Sequence, residues 1–290
     1  MSTGRKFGLV LEGGGMRALF TCGVIDVLME NGIMFDGMVG VSAGAAFGCN
    51  YKSRQIGRPL RYNLRFAKDW RYCSLWSLLT TGNMFGAKFA YHTVHDEVDI
   101  FDIAAFERNP MEFHMVATDV LSGKAVYKKL EHGGHYMYEW LRASSSMPVI
   151  SKVVHIDGKL LLDGGITDSI PLRYFQSQGY ACNIVVLTQP KGFLKKPVPM
   201  MWFLKFLLRR YPRLIEALSC RHQMYNEQLR CISEEEAKGN ILVISPEDIL
   251  PIGRISHNRE QMVNTYNIGR ETTKKLLDEI VRFYTDSKTS

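Results

Sequence analysis

Three short stretches carry residues whose types and spacing could perform acyl transfer. In Gly40-Val41-Ser42-Ala43-Gly44 a serine stands between two glycines, after an apolar run and before a helical pattern. That is the spacing of a nucleophile elbow, a strand-to-helix turn too tight for side chains beside the serine. A serine hydroxyl needs a base for its proton and donors for the oxyanion that follows attack. Consecutive glycines at 13, 14 and 15, leading into Met16 and a helix start, offer backbone N–H groups as such donors, and Arg17 adds a fixed positive charge beside them. For the base, Asp163 closes an apolar strand and is followed by Gly164 and Gly165, which suits a carboxylate at the sheet's carboxyl edge. The eight histidines, at 92, 95, 114, 132, 135, 155, 222 and 257, have no strand-end setting like that of Ser42 or Asp163. Asp157 and Asp168 read as structural.

These residues require a particular frame. Residues 7–11 read as a buried strand that ends in the glycine loop. A helix follows, with Leu19, Val24, Val27 and Leu28 at helical spacing and a stop at Asn31-Gly32. Residues 35–41 form the strand that enters the elbow. Strand, glycine loop, helix, strand, elbow, helix is the alternation of a parallel sheet covered by helices, an α/β fold. Residues 57–108 read as mostly helical and aromatic (Tyr62, Phe66, Trp70, Tyr72, Trp76, Phe85, Phe89, Tyr91), a cap whose rings can line an apolar pocket, with a break at Thr81-Gly82-Asn83. Strands are expected at 112–118, 124–130, 183–188 and 241–244, and a helix over 135–144. Asp157-Gly158 between apolar runs signals a hairpin. Long helices over 213–238 and 258–285 close the chain.

The stretches at 12–18, 40–44 and 163–165 resemble, in order and rough spacing, the three motifs of patatin-like phospholipases: a glycine-rich oxyanion loop, a Gly-x-Ser-x-Gly elbow and an aspartate followed by glycine. Ala143-Ser144-Ser145-Ser146-Met147-Pro148 resembles the small-residue stretch that precedes the aspartate in that family. The resemblance implies a three-layer α/β/α sandwich with a mainly parallel sheet and a C-terminal helical extension. Residues 1–190 would be the catalytic domain, its sheet completed by 240–245, and 191–290 a basic, apolar and helical remainder. It implies hydrolysis of lipid acyl esters with Ser42 as nucleophile, Asp163 as base and the backbone of Gly13, Gly14, Gly15 and Met16 as oxyanion hole. Arg17, Gly40, Gly44, Gly164 and Gly165 would support them, with no cofactor and no metal. Ala18 stands where the family often has glycine.

The chain has 290 residues, 46% apolar and 22% charged, with net charge +7 and a pI near 9.0. This is the composition of a globular protein with an affinity for anionic surfaces; the charge alone does not separate phospholipid from nucleic acid, and the resemblance selects lipid, with no nucleic-acid partner. The six scattered cysteines form no C-x-x-C pair and read as free thiols. No apolar run spans a bilayer and no leader is evident, so a cytoplasmic protein, peripheral at the inner face of the membrane, is expected. Residues 191–213 stand apart: Lys195, Lys196, Lys205, Arg209 and Arg210 flank or interrupt an apolar run with Trp202 and Phe203, a pattern suited to the lipid interface. Oligomeric state stays open.

Three rival readings remain. The spacing Gly13-x-Gly15-x-x-Ala18, with Asp36 further on, also fits a dinucleotide fingerprint, although Asp36 begins a strand where that fingerprint's acid ends one. An α/β-hydrolase triad of Ser42, Asp163 and His222 or His257 has the right chain order, but only 41 residues precede Ser42. A non-catalytic membrane-binding scaffold is the third.

Overall fold

Short apolar runs form the central strands of the sheet. The computed structural model describes residues 5–72, 82–83, 86 and 89–289; Cys73, Trp76, Thr81 and Phe85 lie outside them. Strands β1 (Phe7–Leu11), β2 (Gly37–Val41), β3 (Glu112–Asp119), β4 (Lys124–Leu130), β5 (Val154–Ile156), β6 (Lys159–Asp163), β7 (Cys182–Val186) and β8 (Ile241–Ile244) form an eight-stranded sheet. Its order is β5-β6-β3-β2-β1-β7-β8, with β4 against β3. β3, β2, β1, β7 and β8 run parallel, and β4, β5 and β6 join antiparallel. β1, β2, β7 and β8 are buried at every residue, as central parallel strands covered on both faces must be. β2 starts at Gly37, two residues later than the apolar pattern predicts, and β7 begins one residue earlier and ends two residues earlier, at Val186.

Side-chain alternation divides the core between the two faces. Phe7, Leu9, Leu11, Met38, Met115 and Ile184 point to one side, against α1 (Leu19–Glu30), α2 (Ala43–Lys52), α3 (Arg58–Phe66) and α5 (His135–Ser145). Val10, Val39, Val41, Val116 and Val185 point to the other, against α6 (Leu172–Ser177) and the long α8 (Pro212–Ala237). The result is three layers, α/β/α. A short α4 (Ile103–Arg108) precedes β3, and a wide helical segment, Phe89–Val98, precedes α4. Asp157 and Gly158 take φ of 52° and 69°, the two left-handed positions of the hairpin turn joining β5 to β6.

The chain beyond residue 190 returns to this core. β8 extends the sheet beside β7. The expected helix over 258–285 is two helices, α9 (Arg259–Lys275) and α10 (Leu277–Thr289), separated at Leu276. The bend lays Phe283 and Tyr284 on Phe7, with ring centroids 5.9 and 5.4 Å away. Tyr266 of α9 donates its hydroxyl to the buried Asp26 of α1 at 2.7 Å. A short helix α7 (Met201–Leu207) contributes no fully buried residue. Among the described residues no helix is long and apolar enough to cross a membrane.

Candidate active site

β3 acts as a ruler that brings two distant residues together. β4 occupies one of its edges along nearly its whole length. β2 and β6 therefore share the other edge, β2 ending at the pair Val41–Val116 and β6 ending at the next pair, Asp163–Ala117. Ser42, one residue past β2, and Asp163, the last residue of β6, meet at that junction. Ser42 Oγ donates to Asp163 Oδ2 at 2.6 Å. The serine has φ 54° and ψ −128°, a costly conformation for a residue with a side chain. The surroundings hold it there. A β-carbon on Gly40 would stand 2.7 Å from the Ala45 backbone, and one on Gly44 would stand 2.6 Å from the Glu12 carbonyl oxygen. Ser42 N–H donates to Ser144 Oγ at 2.9 Å, and Ser144 donates in turn to the Val116 carbonyl at 2.6 Å.

Asp163 is 2% exposed. Burial pushes its carboxyl above the usual aspartate range, against the pull of the Ser42 hydrogen bond, the Arg221 charge and the Gly165 N–H. That N–H donates to Asp163 Oδ1 at 2.7 Å from the turn Gly164–Ile166, and the Asp163 backbone N–H donates to the Ser146 carbonyl at 2.7 Å. Both carboxylate oxygens are thereby fixed, one on the serine and one on its own turn.

The glycine loop runs past this pair. Gly13, Gly14 and Gly15 line the same cavity as Ser42 and Asp163, and among the described residues the N–H groups of Gly13 and Gly14 donate to no protein atom. Met16 departs from expectation. It lines the cavity, but its N–H donates to the Arg254 carbonyl at 2.9 Å and so is not available as an oxyanion donor. Gly15, at φ 60°, admits that carbonyl, because a β-carbon there would stand 2.4 Å from it. Arg17 faces the Gln189 amide oxygen, its Nε is buried with no partner, and burial lowers its pKa, with Arg254 adding to the shift.

The cavity holds about 280 Å³. Phe47 of α2, with Tyr62, Tyr72 and Tyr91 of the aromatic cap and Ile150, gives it an apolar lobe. A charged lobe of the same cavity contains Arg17, Lys195, Arg221 and Arg254 with Glu12 and Tyr225. Lys195 differs from the other six residues of the expected interface segment, because it turns inward. Its Nζ stands 3.8 Å from the Tyr225 ring centroid, and burial, reinforced by Arg221, Arg254 and Arg17, pushes its ammonium down to about 7. Lys196, Trp202, Phe203, Lys205, Arg209 and Arg210 are exposed, Trp202 at 71%. Glu12, within the glycine-loop stretch, accepts from Tyr225 Oη at 2.7 Å and from Thr188 N at 2.6 Å. The sequence marked none of Glu12, Tyr225, Arg221 or Arg254. Only Ser144 carried a signal, the small-residue stretch before the hairpin.

The rival constellations do not assemble. Asp36 accepts from Phe7 N at 2.7 Å, at the start of β1, while the glycine loop follows its end, so no acid stands where a dinucleotide ribose would need one. His257 Nδ1 is bonded to the Ala67 carbonyl at 2.7 Å, and neither His222 nor His257 lines the cavity. His95 does line it, but its Nδ1 is engaged by Arg58 at 2.8 Å and burial lowers its pKa to about 3. His92, Asp96 and His135 gather their ligand atoms within 4.8 Å of one another outside the cavity.

Comparison with known proteins covers both halves. The model described as Patatin-like phospholipase matches residues 9–175, and one described as a domain of unknown function (DUF6363) matches residues 211–285. Lysophospholipase nte1 of Aspergillus niger is 29% identical over 181 residues, 61% of this chain and 11% of that protein. Lysophospholipase nte1 of Emericella nidulans is 30% identical over 185 residues, with the same coverage. This chain thus spans about a tenth of their length. The uncharacterized protein YjjU of Escherichia coli K12 is 25% identical over 304 residues, 97% of this chain and 80% of that one. The crystal structure of VipD from Legionella pneumophila aligns with a TM-score of 0.47 at 13% identity, over 95% of this chain and 67% of that one.

Proposed function

The chain belongs to the patatin-like phospholipase family, and from that premise we propose that it is a serine acyl hydrolase acting on carboxylic esters of lipids through Ser42 and Asp163. The 2.6 Å hydrogen bond from Ser42 Oγ to Asp163 Oδ2 carries the reading. Asp163 takes the hydroxyl proton as Oγ attacks the ester carbonyl carbon. The carbonyl oxygen becomes an oxyanion beside the N–H groups of Gly13, Gly14 and Gly15. The tetrahedral intermediate collapses, the alcohol leaves with the proton from Asp163, and an acyl group stays on Ser42. Water, deprotonated by the same carboxylate, repeats the sequence and releases the acid. A free aspartate, at about 3.9, is a weak base at neutral pH, so the upward shift imposed by burial helps the proton transfer. Comparable hydrolases lose about a hundredfold to a thousandfold in rate with one oxyanion donor removed, which sets the scale expected of the glycine loop.

The apolar lobe, lined by Phe47, Tyr62 and Tyr72, suits the acyl chain. The exposed helix α7 with Trp202, Phe203, Lys205 and the flanking Lys196, Arg209 and Arg210 suits peripheral contact with an anionic lipid surface. It lies beside a second depression that shares Lys195, Arg221 and Arg254 with the catalytic cavity. A fluorophosphonate probe should label the wild type and fail to label Ser42→Ala. An ester panel graded by chain length should be cleaved by the wild type alone among wild type, Ser42→Ala and Asp163→Asn. Labelling of Ser42→Ala at the wild-type rate, or equal cleavage by all three proteins, would sink the proposal.

A further inference from the structure

We propose that the chain outside the patatin-like match builds a phosphate-binding lobe on the catalytic cavity, in which Lys195, Arg221 and Arg254, with Arg17, receive the phosphate group of a glycerophosphate ester. Its placement on the leaving alcohol rests on the hydrolase reading above; the binding itself does not.

The lobe has more positive charge than the protein offers partners for. Among the described residues none of the four cations makes an ion pair within 4.0 Å of a carboxylate. The cavity lining contains two carboxylates, and both are occupied. Glu12 accepts from Tyr225 Oη and Thr188 N, and Asp163 accepts from Ser42 Oγ and Gly165 N. Arg221 spends its Nε on the Gly165 carbonyl at 2.5 Å, which leaves both Nη groups for a ligand. Arg17 Nε is a buried donor with no acceptor. Lys195 Nζ rests on the face of Tyr225, a contact that holds an ammonium without neutralising it. Arg17, Lys195 and Arg221 are half-buried and Arg254 is exposed; cations drawn together at a partly desolvated wall repel one another, and an anion that joins them relieves that cost. Guanidinium forks match the several oxygens of a phosphate better than the two of a carboxylate.

The lobe is also built rather than accidental. Lys195 is pinned to α8 by a reciprocal pair of bonds, its N–H to Asn226 Oδ1 at 2.8 Å and its carbonyl from Asn226 Nδ2 at 3.1 Å. Arg221 and Tyr225 are one helical turn apart on the same face of α8. Arg254 is fixed through its carbonyl to Met16 N, at the glycine loop itself. Arg221, Tyr225 and Arg254 lie within residues 211–285, the match to a domain of unknown function. That segment thereby acquires a task, to close the cavity and read the anionic part of the substrate.

Titration calorimetry on the full-length Ser42→Ala protein tests binding without turnover. The probes are sn-glycerol 3-phosphate, glycerophosphocholine and inorganic phosphate. A glycerol ester should bind, and its affinity should fall at least tenfold in Lys195→Gln and in Arg254→Gln, with Lys195→Arg restoring most of it. No binding by any probe at 10 mM, or equal affinity in all variants, overturns the proposal. Inorganic phosphate binding as tightly as both glycerol esters would make the lobe a free-phosphate site and overturn the head-group assignment. A kinetic arm compares kcat/KM for a monoacylglycerol phosphate with that for the monoacylglycerol of the same chain. This ratio should fall at least tenfold in the Gln variants, and because it is a ratio, a general loss of folded protein cancels. A wild type that hydrolyses neither ester would sink the hydrolase reading, while calorimetry still decides the lobe.

Discussion

Two walls of the cavity are made by different means. The N-terminal wall, residues 7–52, is made of backbone: a glycine loop, a strained serine and the tight passage of Gly44 over the Glu12 carbonyl. The C-terminal wall, residues 191–255, is made of long side chains delivered from a loop, a helix and a turn, namely Lys195, Arg221 and Arg254. A backbone wall works only if the chain can pass within a fraction of an ångström of a given path, so it tolerates few substitutions. A side-chain wall reaches its target on flexible stems and tolerates more, at the level of fold if not of function.

Breaking the Ser42–Asp163 hydrogen bond should give the largest effect. Asp163→Asn is expected to lower ester hydrolysis by about a hundredfold to ten-thousandfold. The same change should raise the melting temperature by a few degrees. Burial lifts the Asp163 pKa above its unfolded value, so this group's contribution to stability is full below the unfolded pKa and is lost as pH rises through the folded one. At neutral pH its ionised form is a stability cost, which an amide removes. Calorimetric melting beside an ester assay checks both halves, and a lowered melting temperature would contradict the assignment of cost. For the same reason the acid limb of kcat/KM in the wild type should lie above 3.8 and rise with pH as Asp163 ionises.

Gly44→Ala comes next. Its methyl group would meet the Glu12 and Leu11 carbonyl oxygens at 2.6 and 2.8 Å. Displacing that backbone is expected to cost about 1–3 kcal/mol in urea unfolding and to reduce hydrolysis more than any single substitution at Lys195. If Lys195→Gln proved the more damaging of the two on a neutral ester, the division between the walls would fail. Tyr225→Phe tests the seam between them. It leaves a buried oxygen of Glu12 without a donor, an expected loss of about 1–3 kcal/mol, measurable by denaturant titration.

The smallest effect on the fold belongs to α7. Trp202→Ser with Phe203→Ser should change unfolding free energy by less than about 0.5 kcal/mol, since both side chains are exposed. Co-sedimentation with anionic liposomes should nevertheless weaken. Unchanged sedimentation would leave the exposed helix without its proposed role.

The two walls also differ in how much of them could be read beforehand. Everything in the backbone wall depends on local chain geometry, and local geometry leaves a local mark: glycines at 13, 14, 15, 40 and 44, and apolar runs that become β1 and β2. The hairpin at Asp157-Gly158 was legible for the same reason, because left-handed backbone restricts residue choice. Met16 escaped that logic, because its N–H is taken by Arg254, more than two hundred residues away. Lys195 was legible only as part of a basic and apolar run, and nothing local says that it turns inward while Lys196 faces out. The bend at Leu276 likewise follows from where Phe7 waits for Phe283 and Tyr284.

By itself the sequence determined the order strand, glycine loop, helix, strand, elbow, helix, with it the places of Ser42 and the glycines at 13–15, and, further on, the strand that Asp163 closes. Those are matters of period, turn and steric permission, decided within a few residues. The tertiary structure alone decided that β3 aligns Val41 and Asp163 on adjacent pairs, that Ser144 steadies Ser42, and that four cations line the cavity beside it. Such convergence is a property of how elements pack, and a side chain on a long stem carries no trace in its own neighbourhood of where its charge will come to rest.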